Sequence, residues 1–357
     1  MRILALARVP RCAGLFAGLA VGAAAFGQAP AEPALKGVAL FQKQAASLAP
    51  TVETDPARQF LQAVGALPTI EPRTFHRNRE KRLWLTKAQF DALPEGERSG
   101  FEEAVVDEDM YYQTRYGSPL AYVRAIDLAV KVGGFGGGRG FAGMKIADYG
   151  HGTVGHLRMW GALGALVTGI EVDPFLKALY SEPGDTGVVP SDLHHGPPGS
   201  VTLVHGLWPG GEGPDGGSIA AKIGGGYDMF ISKNTLKNGY IHPAKPVEKR
   251  LLVDLSVSEE AFVKAIFDAL KPGGLCVIYN LGPAPSKEGD AMFKHWADGR
   301  SPFGRAAWEA AGFEVLAFDV IDDGPARRMF EALEYPTKDK EGGDDLFAWY
   351  TIARRPK

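Results

Sequence analysis

Asp148-Tyr149-Gly150-His151-Gly152-Thr153-Val154-Gly155 follows a short apolar run, Met144 to Tyr149, and opens a segment with helical spacing. At such a junction Gly150 permits a tight turn, Gly152 lets a ligand approach the backbone, and Gly155 lets the helix pack on its strand. The turn also leaves backbone N–H groups free to meet an anion. Twenty-three residues beyond Asp148, the next apolar run ends in Gly169-Ile170-Glu171-Val172-Asp173. A carboxylate at that strand tip can accept both hydroxyl protons of a ribose. Asp148, Gly150, His151, Gly152, Glu171 and Asp173 are therefore candidates for holding an adenosine-bearing cofactor, and these features alone would serve a nicotinamide equally well.

A later apolar run, Tyr227 to Ser232, passes into Lys233-Asn234-Thr235-Leu236 and on to Gly239-Tyr240-Ile241-His242-Pro243. In a doubly wound sheet the ligand lies beyond the carboxyl ends of the strands, which is where these residues fall. Lys233, Asn234, Tyr240 and His242 are the candidate catalytic side chains, and Ser232 a cofactor contact. His242 could act as a base near neutral pH, and Lys233 could pair with an acidic substrate. The competing reading is a polar loop that caps turns. Tyr111, Tyr112, Arg115 and Tyr116 could cover a bound cation or stack on an adenine, or Tyr112 and Tyr116 could simply be core. His194-His195 lacks further ligands at metal spacing and reads as loop, so no metal is expected. Asp322-Asp323 and Asp344-Asp345 read as solvated turn charges.

The elements needed to place these residues follow from periodicity. Short β-rich runs at 144–149, 166–171, 201–204, 227–232 and 275–280 alternate with helical patterns at 154–163, 175–180 and 256–270, which predicts a parallel sheet. Phe313 to Val320 and Phe347 to Arg354 suggest an antiparallel pair at one sheet edge, with polar chain between them. Upstream, Gly133 to Gly140 reads as a hinge, and Glu108 to Val132 as two helices joined at Gly117-Ser118-Pro119. Before these, helical stretches at 57–64 and 86–101 and a short strand at 82–85 form an N-terminal cap segment.

The chain has 357 residues, 45% hydrophobic and 23% charged, enough for a full core. Its net charge of −3 gives no electrostatic reason to expect nucleic acid. Arg2, Arg8 and Arg11 precede and flank the apolar stretch Ala13 to Phe26, which reads as an export signal too short for a span of roughly 20 residues. Residues 1–29 are taken as signal, 30–105 as cap and 106–357 as the main domain, with a periplasmic or secreted location expected. Cleavage would carry the net charge from −3 to −6 and leave Cys276 as the lone thiol.

Over about Tyr111 to Arg354 the sequence resembles the class I S-adenosylmethionine-dependent methyltransferases. Asp148-x-Gly150-x-Gly152 is similar to that family's first motif, and Gly169-Ile170-Glu171 to its ribose-binding acidic motif. Ala269-Leu270-Lys271-Pro272-Gly273-Gly274-Leu275 is similar to its helix-to-fifth-strand turn. The resemblance implies an α/β fold with a doubly wound, mostly parallel, seven-stranded sheet, an antiparallel strand at the edge, and S-adenosylmethionine as cofactor. Gly206 and Leu207 would then neighbour the adenine. Two departures stand out: Val154 where many members have a further glycine, and His205-Gly206-Leu207-Trp208 where an acid often meets the adenine amino group. The implied activity is methyl transfer to a small-molecule or protein acceptor. An exported, non-catalytic ligand-binding protein and an NAD-dependent oxidoreductase are the alternatives, and the Pro272-Gly273-Gly274 turn argues against the last.

Overall fold

The computed structural model describes residues 35–357 except 137–139, 214–215, 250–251, 285–293, 295 and 339–341. The expected signal and the middle of the Gly133–Gly140 hinge lie outside the described residues. The N-terminal segment holds α1 (Gly37–Leu48), α2 (Asp55–Gln62), β1 (Arg73–Asn78), β2 (Leu83–Thr86), α3 (Lys87–Asp91), β3 (Phe101–Val106), α4 (Glu108–Gln113) and α5 (Val123–Gly133). The cap is thus less helical than expected, because β1, β2 and β3 form an antiparallel sheet in the order β2-β1-β3. A helix was expected over 86–101, yet α3 stops after one turn and a half. Thr86 and Gln89 form a capping box at its start, and Pro94 lies three residues past its end.

Downstream lie β4 (Lys145–Tyr149), α6 (Gly155–Ala162), β5 (Leu166–Glu171), α7 (Pro174–Leu179), β6 (Gly187–Val189), β7 (Gly199–His205), α8 (Ile219–Ile223) and β8 (Tyr227–Lys233). They are followed by α9 (Asn238–Ile241), α10 (Glu259–Ala269), β9 (Leu270–Gly282), α11 (Arg305–Ala310), β10 (Glu314–Ile321), α12 (Asp323–Ala332) and β11 (Phe347–Arg354). Strand order is β10-β11-β9-β8-β4-β5-β7-β6. The neighbours from β7 through β9 pair in parallel, whereas β11 runs antiparallel between β9 and β10. The sheet therefore has one strand more than expected, the three-residue β6 that pairs antiparallel with β7 at the far edge. The antiparallel β11 sits one place in from the other edge.

Side-chain alternation sorts the sheet's residues into two cores. Ile146, Val167, Met229, Ile231, Val277 and Tyr279 share one cluster with the cap's Phe41 and Phe60 and with Tyr112 of α4. Ala147, Ile170, Phe230, Cys276 and Ile278 join Phe262 and Ile266 of α10 in the other. Helices on both faces make the fold doubly wound. The Pro272-Gly273-Gly274 segment forms an irregularity where Tyr227 pairs Leu270 but Met229 pairs Leu275. Two expectations are corrected here. Asp322 is not a solvated turn charge: it is 5% exposed and receives Arg124 Nε and Nη2 at 2.8 and 2.7 Å. Gly155 does not face its strand, because a Cβ there would lie 2.9 Å from Pro119 and 3.3 Å from Tyr112, so this glycine admits the chain between α4 and α5 against α6.

Candidate functional site at the carboxyl ends of the strands

Strand order reverses between β4 and β8, and a doubly wound sheet opens its ligand crevice at such a switch point. The glycine turn leaves β4 there. Gly150 and Gly152 have φ of 75° and 62°, a left-handed backbone that glycine adopts without Cβ strain. The Gly150 N–H donates to Ile170 O at 2.8 Å, which ties the turn to β5. From the tip of β5, Glu171 accepts the Gly152 N–H on Oε2 at 3.3 Å, and the Val172 and Asp173 N–H groups on Oε1 at 2.8 and 3.2 Å. Glycine turn and carboxylate therefore share one crevice. Burial raises the Glu171 carboxyl above its ordinary range, while the three N–H donors pull it back. Oε2 retains acceptor capacity for a further donor.

The remaining candidates sort by position. Asp173 caps α7 by accepting the Phe175 N–H at 3.0 Å, and its other oxygen receives Tyr116 OH at 2.6 Å and the Arg115 guanidinium. Tyr116 also lies over Gly152, 2.7 Å from where a Cβ would stand, and Thr235 covers Gly150 in the same way. Tyr111 and Tyr112 are fully buried, their hydroxyls on Asp185 and Pro68 O, so they are core. His151 is 3% exposed with its ring against Gly169, and burial pushes its pKa down to about 4. Gly206 donates its N–H to Glu171 O at 2.9 Å, and Leu207 follows it partly exposed.

Along β8 and beyond, Ser232 is sealed, its hydroxyl donating to Tyr149 O at 3.1 Å and accepting the Leu236 N–H. Asn234, at φ 63°, accepts the Leu281 N–H on Oδ1 at 2.7 Å and so pins β8 to β9. Tyr240 lies under the Lys237 ammonium, 4.9 Å from ring centroid to Nζ. His242 is turned toward α10, with Nε2 2.9 Å from Glu259 Oε1. Asn234 and His242 thus have structural partners, while Lys233 is buried beside Asp148.

Asp148 is entirely buried, and its Oδ2 stands 2.6 Å from His156 Nε2 in the first turns of α6. Burial raises the Asp148 carboxyl to about 7 and holds His156 well below its ordinary value. Tyr122 stacks on His156 with ring centroids 3.6 Å apart and planes 10° off parallel. Lys233 Nζ lies 5.2 Å from the centroid of the same Tyr122 ring, and burial lowers its pKa to about 8. Sequence reasoning missed Tyr122 and His156. The one available signal was the spacing that puts His156 on the first turn of the helix after the glycine turn.

Among the described residues no group of three or more His, Cys, Asp or Glu could hold a metal ion. Two cavities, of about 290 Å³ beside Gln59, Phe141 and His194 and about 460 Å³ beside Arg73 and Lys87, both lie away from this crevice. Tyr116 and Thr235 fill the space over the glycines instead.

No family model and no curated protein matches the sequence. Among solved structures the chain is similar to the cyclase SpnF at 17% identity, covering 65% of this chain and 80% of that one with a TM-score of 0.34. It is similar to an S-adenosylmethionine-dependent methyltransferase from Mesorhizobium loti at 15% identity, over 66% and 98% of the two chains, TM-score 0.33. A magnesium protoporphyrin IX methyltransferase from Synechocystis with bound S-adenosylhomocysteine gives 15%, 65% and 83%, and 0.31. Likenesses this distant carry no function across; the chain's own strand order and strand-tip residues must do so.

Proposed function

We propose that this chain binds S-adenosylmethionine in the crevice beyond β4, β5 and β8 and transfers its methyl group to a small-molecule or protein acceptor. The observation that supports this most is Glu171 Oε2 within hydrogen-bond reach of the Gly152 N–H, because it joins a ribose-type carboxylate to a glycine turn on the neighbouring strand. The donor set suits the cofactor: carboxylate for ribose hydroxyls, backbone N–H groups for a carboxylate, and the Tyr116 ring for a cation. When bound, the cofactor would supply a methyl carbon on a positively charged sulfur, open to in-line attack. The chain's part is then positioning and water exclusion, worth several kcal/mol when the reacting atoms are held near roughly 3 Å. Glu171 would orient the ribose, the turn would hold the amino-acid end, and Tyr116 with Arg115 would close over both from the segment between α4 and α5.

Calorimetry of the folded chain with S-adenosylmethionine and S-adenosylhomocysteine is the test; saturable binding of both is expected, and binding of neither contradicts the reading. A parallel NADH titration addresses the oxidoreductase alternative and should show no saturation. A second reading, a binding protein without catalysis, draws support from Tyr116 and Thr235 occupying the space at the two glycines. Turnover with any acceptor would exclude it. We also propose export, on Arg2, Arg8, Arg11 and the apolar stretch behind them. N-terminal sequencing of fractionated protein should find no Met1; recovery of intact Met1 in the cytosol would overturn export.

A further inference from the structure

Lys233 has an environment unlike that of the nearby buried Lys237. It is 7% exposed and stands at the carboxyl tip of β8, paired in register with Tyr279. Its neighbour Lys237, equally buried, donates to Leu281 O. Lys233 Nζ, by contrast, makes no hydrogen bond or ion pair with any described residue. Its closest ring is Tyr122, which His156 braces from its own stacking contact. Asp148, the carboxylate nearest in charge, gives Oδ2 to His156 instead. Asp148 Oδ1 and His156 Nδ1, on the same cluster, are themselves sealed without hydrogen-bond partners.

An ammonium carries three donors and no acceptor, and leaving them unmet in a desolvated place is costly. A second consideration is charge: the cofactor of the reading above brings a sulfonium, and two cations in one crevice repel. Both costs are relieved by a negative group delivered by the other substrate.

We propose that Lys233 seats an anionic methyl acceptor, a small carboxylate or phosphate monoester, by charge-assisted hydrogen bonds from Nζ. The proposal rests on the adenosine-binding reading for the word acceptor, but the anion seat itself does not. Inorganic phosphate and acetate are the probes, titrated against the full chain with and without saturating S-adenosylhomocysteine and followed by melting temperature and equilibrium dialysis. Saturable binding is expected, weakened about tenfold or more by Lys233→Met and kept within a few-fold by Lys233→Arg, while S-adenosylhomocysteine affinity stays within about threefold. Preference for one probe would assign the class, phosphate monoester or carboxylate. Should Lys233→Met fail to fold, Lys233→Gln carries the same comparison.

Three results overturn the proposal: neither probe saturates the unmodified chain, the variants bind both probes as well as it does, or the variants lose S-adenosylhomocysteine and keep the anions. The last would mean that Nζ holds the donor's own carboxylate. Lys233-dependent anion binding without any S-adenosylhomocysteine binding would leave the seat standing and sink the methyl-transfer reading alone.

Discussion

His151 lies 3% exposed beneath the glycine turn, and burial holds its imidazole at about 4 against an ordinary value of 6.5. A folded-state pKa below the unfolded one gives stability that is present above pH 6.5 and lost as pH falls toward 4, on the order of 3 kcal/mol. Asp148 works the other way, since a carboxyl raised to about 7 gives stability that is lost as pH rises. Urea midpoints of the chain and of His151→Gln between pH 7.5 and 5 should separate the two, with the variant losing less stability on acidification. A second expectation concerns Gly152. Alanine there meets φ 62° and Tyr116 at 2.7 Å, so Gly152→Ala should cost at least ~1–2 kcal/mol in denaturant melts. Trimming Tyr116 in the same chain should recover part of that. At this scale the glycines and Glu171 were legible because their types and spacing carry a mechanism. The Asp148–His156–Tyr122–Lys233 cluster was not, because it assembles from β4, α6, the turn before α5, and β8, and no local pattern records who faces whom.

Elements whose apolar runs are continuous were the most legible: β4, β8 and most of β9 are buried on both faces, and buried parallel strands leave that signature. Of the cap strands, the run at 82–85 anticipated β2, whereas β1 escaped notice because Arg73-Thr74-Phe75-His76-Arg77-Asn78 has one apolar residue in six. Helix α12 escaped for a related reason: its charged residues mask Ala326, Met329, Phe330 and Leu333, which do recur at helical spacing and are buried. The cap docks on the core through a desolvated ion pair. Arg73 reaches Asp185 with two bonds of 2.9 Å, and Asp185, 1% exposed, also accepts Tyr111 OH at 2.6 Å. Arg73→Met should therefore cost about 3 kcal/mol by stranding a buried carboxylate, and adding Asp185→Asn should restore much of it. Additive losses in this pair of variants would show that the contact is not coupled.

On the scale of the molecule, the cap and the sheet share one apolar cluster that runs from Phe41 and Phe60 to Val277 and Ile352. A chain starting at Asp107 would expose Trp160 and Tyr112 where α1 and α2 now cover them, so it should lack a cooperative melt and bind a hydrophobic dye. The whole chain should melt once. Tyr116, just after the cap in sequence, covers the glycine turn at Gly152. The central claim is that Glu171 and the glycine turn together hold a ribose. Its most direct test is a calorimetric cycle of S-adenosylhomocysteine against its 2′-deoxy analogue on the chain and on Glu171→Gln. The account predicts that the deoxy analogue binds about tenfold more weakly to the chain, and that this difference largely vanishes in the variant. An equal penalty in both proteins, or none in the chain, would contradict it.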